Sequence, residues 1–143
     1  MRVAQVAFHT GVADTTGYAC RLLRKAWRAG SRVAVHGPAP ALDRLDQALW
    51  MFEPLEFVPH AALPRDSGDP SRVARNPILL VHPGARAEGC PVAVCLGGAG
   101  EVADYDRVIE IVGLEPADRD AARRRWREYE RAGQVPEHLN VGA

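Results

Sequence analysis

Arg119, Arg123, Trp126 and Arg127 carry the most distinctive chemistry in the chain. At about 100° per residue in a helix, these four side chains project within roughly a quarter of the circumference. Guanidinium groups favour carboxylates, which they hold through paired N–H donors. A half-exposed indole offers a plate for an apolar or aromatic anchor. The chemistry indicated is docking of an acidic ligand with an apolar end. The plainer reading is a solvated arginine-rich face, with Glu128 and Glu130 as local partners worth about 0.3 kcal/mol per pair.

Catalytic and metal chemistry is thinly represented. His9, His36, His60, His82 and His138 are scattered, and the serines, Ser31, Ser67 and Ser71, sit on no nucleophile elbow. Nothing marks a carboxylate pair for acid–base work. Cys20, Cys90 and Cys95 have no metal or redox spacing, and adding His82 gives H-x7-C-x4-C, which is not a zinc pattern. An odd cysteine count without a secretion signal points to reduced thiols in the core. No metal site, catalytic residue or cofactor is expected.

The helix that must position the arginines is the clearest in the chain, Glu115 to Gly133. Pro116 suits the first helical position, where its missing N–H costs nothing. Asp118 and Asp120 sit near the positive end of the dipole and Arg131 near the negative end. Gly133 can take the left-handed conformation that closes a helix. Ala121, Ala122, Tyr129 and Ala132 point another way and are read as packing inward, with Trp126 at the border between the two faces.

Ahead of that helix the chain alternates strand and helix. Val3–Phe8 reads as a buried first strand, and 10–16 as a polar loop leading to a cap. The span 18–29 has helical spacing, with Ala19, Leu22, Leu23, Ala26 and Trp27 on one face. Arg32–His36 is a second strand, which completes a strand–helix–strand unit of a parallel sheet. Gly37 to Pro40 reads as a turn and Leu42–Trp50 as a short helix. Met51 to His60, with two prolines and two phenylalanines, reads as an ordered loop or edge segment. Residues 61–76, rich in Pro, Ser, Asp and Arg, read as a mobile excursion. Ile78–His82, Val92–Leu96 and Arg107–Val112 are three more strands. The fold expected is a three-layer α/β/α sandwich on a mostly parallel sheet, Rossmann-like in topology, forming a single domain over residues 1–143.

Such sheets commonly bind nucleotides at the carboxyl ends of their strands. Gly97-Gly98-Ala99-Gly100 follows a strand but matches neither G-x-G-x-x-G nor the phosphate loop with its lysine and hydroxyl. Composition sets further bounds. The formal charge of zero supplies no general field toward DNA or membrane. Met1-Arg2 leads into a short mixed segment that does not read as a signal peptide. No apolar run approaches the roughly 20 residues of a membrane span. A cytoplasmic location without membrane contact is the expectation.

The string Leu42-Asp43-x-Leu45-Asp46-x-x-Leu49-Trp50, followed by Phe57-Val58-Pro59-His60, resembles the chi subunit family of bacterial DNA polymerase III. So do Arg107 to Val112, followed by Arg123-x-Arg125-Trp126-Arg127-x-Tyr129 and Ala132-Gly133. The early run from Cys20-x-Leu22 through Trp27-x-x-Gly30 to Arg32-Val33-x-Val35 agrees as well. The resemblance covers essentially the whole chain in order, and L-W…F-V-P-H is its most specific part. It implies a non-enzymatic adaptor of the clamp-loader assembly in DNA replication. It further implies two partners: the psi subunit, and the acidic C-terminal tail of single-stranded DNA-binding protein (SSB), which ends in an apolar residue and a free carboxylate. The tail would fall to Arg119, Arg123, Trp126 and Arg127, and psi to Trp50 and Phe57, so that DNA is reached only indirectly. The family's aromatic at the Trp126 position can be Tyr. Trp keeps the stacking surface and loses the hydroxyl. Two alternatives from other classes remain: a small nucleotide-binding α/β enzyme, and a direct single-stranded DNA binder acting through the arginine helix.

Overall fold

The computed structural model describes residues 3–51, 58–97 and 105–142. Within them seven strands form one sheet: β1 (Val3–Val12), β2 (Val33–His36), β3 (His60–Leu63), β4 (Ile78–Val81), β5 (Val92–Cys95), β6 (Tyr105–Gly113) and β7 (Glu137–Asn140). Their order across the sheet is β3-β4-β2-β5-β6-β1-β7, and every described pairing is parallel. The helices are α1 (Thr15–Arg28), α2 (Ala39–Met51), α3 (Pro70–Arg75) and α4 (Pro116–Arg131).

A parallel sheet needs cover on both faces, and the core divides accordingly. Leu23 of α1 and Leu42, Leu45 and Leu49 of α2 pack on one face with Val33, Val35, Ile78, Leu80, Ile109 and Ile111. Tyr129 and Trp126 of α4 pack on the other with Val6, Phe8, Leu79, Val108 and Val112, and Val73 of α3 joins them. The three-layer α/β/α arrangement is therefore present. Cys20, Cys90 and Cys95 are buried free thiols. Burial pushes Cys20 up to about 11.

Several boundaries differ from the sequence reading, and two strands are additional. β1 runs on to Val12 through what reads as a loop. Its register against β6 slips between His9 and Val12, where three β1 steps match two on β6. Such a bulge re-aims the side chains around it. Gly11, at φ +74°, sits in the bulge, and a Cβ there would meet Asn140 Oδ1 at 2.6 Å. The supposed excursion 61–76 is ordered: it supplies most of β3, a turn, and α3, whose N-cap Asp69 accepts from Arg72 N. The turn read at 37–40 ends inside the first turn of α2. β7, an edge strand beside β1, has no counterpart in the sequence reading.

Candidate functional site: an arginine-rimmed cleft

The sequence of α4 folds as its ends dictate. Pro116 occupies its first turn and Glu115 takes the extended N-cap conformation. Gly133, at φ +86°, closes the other end, with Gly133 N donating to Glu130 O and Gln134 N to Tyr129 O. That turn sends the chain through Pro136 into β7, which lies parallel to β1. The helix and the edge strand thus stand on either side of β1, with a gap between them.

The gap is a cleft of about 660 Å³. Its floor is apolar, made by Phe8, Val112, Ala122 and the half-buried Trp126. Phe8 holds the indole at a centroid distance of 5.1 Å and lies 5.9 Å from the Tyr129 ring. Arg119, Arg123 and Arg127 stand along the α4 rim. The other wall comes from the β1 bulge, Thr10 and Gly11, and from His138 and Asn140 on β7. His138 and Asn140 share this wall because strand side chains alternate. All four residues read from the sequence as one helix face are brought to this one cleft.

Arg123 Nη1 lies 3.1 Å from Asp120 Oδ1, in a pair whose side chains are 66% and 62% exposed. Such a pair is weak and easily exchanged. Arg119 and Arg127 have no carboxylate partner among the described residues, so their donors face solvent. Glu128 and Glu130 make no ion pair with these arginines among the described residues, contrary to the plainer reading of the helix. Ala132, read as packing inward, is the exposed C-cap.

The opposite face of α4 carries a polar anchor that periodicity did not reveal. Arg125 Nε lies 3.0 Å from Glu110 Oε2, and Tyr129 Oη donates to the same oxygen at 2.9 Å. Glu110 is 2% exposed and Arg125 15%. Burial would lower the Arg125 guanidinium, but the hydrogen bond and charge of Glu110 outweigh it and raise it above its ordinary value. Burial and the Glu110 charge push the Tyr129 phenol up. The anchor fixes the helix to β6 and hence fixes which arc of it faces the cleft.

The second predicted site divides at the limit of the described residues. Phe57 lies outside them. Trp50 sits at the end of α2 with 53% of its surface exposed, beside Met51 at 77%. Its ring meets that of His60 at 5.1 Å. His60 is buried, with Nδ1 2.8 Å from Val58 O and Nε2 2.7 Å from Asp46 Oδ1. Arg65 in turn donates to Asp46 and Asp66. This network fixes the start of β3 to α2, at the sheet edge opposite β7 and on the face opposite α4.

Sequence reasoning missed the floor residues Phe8 and Val112 and the whole far wall, Thr10, Gly11, His138 and Asn140. No apolar alternation in Glu137-His138-Leu139-Asn140 marks the strand that carries two of them. Comparison with known proteins gives the family. The family model described as DNA polymerase III chi subunit, HolC, matches residues 3–137. The DNA polymerase III subunit chi of Pseudomonas aeruginosa is 35% identical over 116 residues, covering 80% of this chain and 78% of that protein. The chain belongs to the DNA polymerase III chi subunit family, a family of accessory subunits in DNA replication.

Proposed function

We propose that this member of the chi family is a non-catalytic adaptor whose cleft docks the acidic C-terminal tail of SSB, while Trp50 and Phe57 hold the psi subunit and through it the clamp loader. One observation carries the first half: three exposed guanidiniums rim an apolar floor that ends on Trp126. An acidic peptide with an apolar C-terminal residue matches both parts. The guanidiniums hold carboxylates, and the floor between Phe8, Val112 and Trp126 takes the terminal side chain.

Exposed ion pairs contribute roughly 0.2–1 kcal/mol each. Affinity then rests on the apolar anchor and its carboxylate, with the remaining charges adding orientation and rate. An interface of this size supports binding of micromolar order, about −8 kcal/mol. For psi the support is the exposed pair Trp50 and Met51 at the end of α2. Aromatic residues of that kind act as anchors in partner surfaces. The cleft and Trp50 lie toward opposite sheet edges, which supports one chain holding both partners at once.

Size-exclusion chromatography with intact and tail-truncated SSB tests the first half. The intact protein co-elutes with the chain and the truncated one does not. Co-elution with both would overturn the assignment. For psi, Phe57→Ala and Trp50→Ala abolish co-elution and leave tail docking intact. Loss of both contacts in a folded variant would contradict the separation of the sites.

A further inference from the structure

Trp50, the anchor assigned to the psi subunit, sits in the last turn of α2 with half its surface exposed. Helix ends lack part of their backbone hydrogen bonding and fray. A large side chain there needs outside support to keep one orientation. His60, the first residue of β3, gives that support. It is 3% exposed, and its ring meets the indole at 5.1 Å with the planes at 63°. Aromatic rings favour such edge-to-face contacts. The His60 ring is itself pinned, with Nδ1 2.8 Å from Val58 O and Nε2 2.7 Å from Asp46 Oδ1. Asp46 stands one helical turn before Trp50, so both side chains lie on the same side of α2. His60 packs across the two. Arg65 Nη1 donates to the other Asp46 oxygen at 2.9 Å, and Arg65 Nη2 donates to Asp66 Oδ2 at 3.1 Å. That Asp66 oxygen also accepts from Ala62 N, so the chain of contacts returns to the strand that carries His60. A tie between α2 and β3 needs only these hydrogen bonds. It does not need an aromatic ring set against an exposed indole.

We propose that His60 is a positioning residue for partner docking: its pinned ring holds the Trp50 indole in the orientation that psi meets, so the anchor is ordered before binding. The proposal rests on the psi reading given above and adds the residue that prepares its site. A side chain ordered in advance no longer loses its freedom on association, and affinity gains by that amount. Loss of the ring contact weakens psi binding about fivefold, the scale of one aromatic pair.

The test measures the dissociation constant for the purified psi subunit, together with the near-UV circular dichroism and urea midpoint of the free chain. His60→Gln keeps a polar side chain and loses the ring. His60→Phe keeps a ring and loses both hydrogen bonds. Trp50→Leu keeps an apolar anchor without the indole, and its difference from wild type isolates the Trp50 band from those of Trp27 and Trp126. His60→Gln loses that band and binds psi about fivefold more weakly. His60→Phe keeps the band and the affinity although its urea midpoint falls. Affinity that follows the urea midpoint in both variants is the mark of a purely structural role and overturns the proposal. If His60→Phe does not fold, the double variant decides: His60→Gln in the Trp50→Leu background costs no further affinity, and a second loss of about fivefold overturns the proposal. Absence of psi binding by the wild type overturns the psi reading. An unchanged Trp50 band in His60→Gln overturns the role of His60 whether or not psi binds.

Discussion

Arg123 and Arg125 stand two residues apart on one helix and serve opposite purposes. Arg123 is 66% exposed and rests on a solvated aspartate. Arg125 is 15% exposed and closes on a glutamate buried beneath the helix. Two residues are about 200° of helix, which is the whole difference between a side chain offered to a ligand and one that fixes the scaffold. The same guanidinium chemistry is therefore a docking group on one arc of α4 and a structural anchor on the other. The comparison also explains why the cleft holds its shape: Glu110, Arg125, Tyr129 and the Phe8–Trp126 contact hold the helix against β1 and β6.

The strongest way to break the comparison is Arg125→Ala. It leaves Glu110 buried without its cation, and loss of one partner of a buried pair costs about 3–5 kcal/mol. Urea denaturation reads this directly. A loss below about 1 kcal/mol would remove Arg125 from the scaffold, since that is the scale of an exposed pair. Tyr129→Phe takes away one donor to the same carboxylate and costs about 1–2 kcal/mol on the same curve.

Arg123→Ala is the opposite case. It leaves the urea midpoint within about 0.5 kcal/mol, as surface changes do, and weakens peptide docking about fivefold. Added salt sharpens the contrast. Screening between about 0.05 and 0.5 M weakens docking at the exposed arginines, whereas the contribution of the buried Arg125 pair changes little. Titration of the peptide in salt, run beside urea curves in the same buffers, compares the two arginines in one experiment.

The smallest effect concerns pH and stability. Burial, and then the nearby Arg107 and Arg125 respectively, hold His9 and His36 below the ordinary imidazole value of 6.5. The folded chain therefore keeps these rings neutral where the unfolded chain protonates them. Their contribution is fully present above pH 6.5 and is lost as pH falls through the depressed folded values. The melting temperature drops between pH 7.5 and 5.5, and His36→Gln reduces that slope.

The features legible in the sequence were those with a period or a cap. Pro116 and Gly133 bounded α4 to within two residues, and a 100° step grouped Arg119, Arg123, Trp126 and Arg127 as the structure does. The buried strands at the sheet centre were equally plain, because Ile78–Val81 and Val92–Cys95 are almost uninterrupted apolar runs. β7 was not, since all four of its residues are exposed and carry no apolar alternation. β3 was hidden by its two alanines, weak strand formers in a Pro-rich neighbourhood that only pairing with β4 makes extended. Arg125 escaped for a different reason. A buried arginine is interpretable only beside its partner, and nothing in the sequence marks Glu110, inside β6, as buried.

The most direct test of the account is the anisotropy of a labelled peptide copying the acidic tail of SSB, titrated with wild type, Arg123→Ala and Arg86→Ala. Arg86 is exposed and has no part in the cleft. The account predicts micromolar binding by wild type and Arg86→Ala, binding about fivefold weaker for Arg123→Ala, and a larger loss for every protein when the peptide's terminal apolar residue is deleted. Equal affinity of wild type and Arg123→Ala, or indifference to the terminal residue, would contradict it.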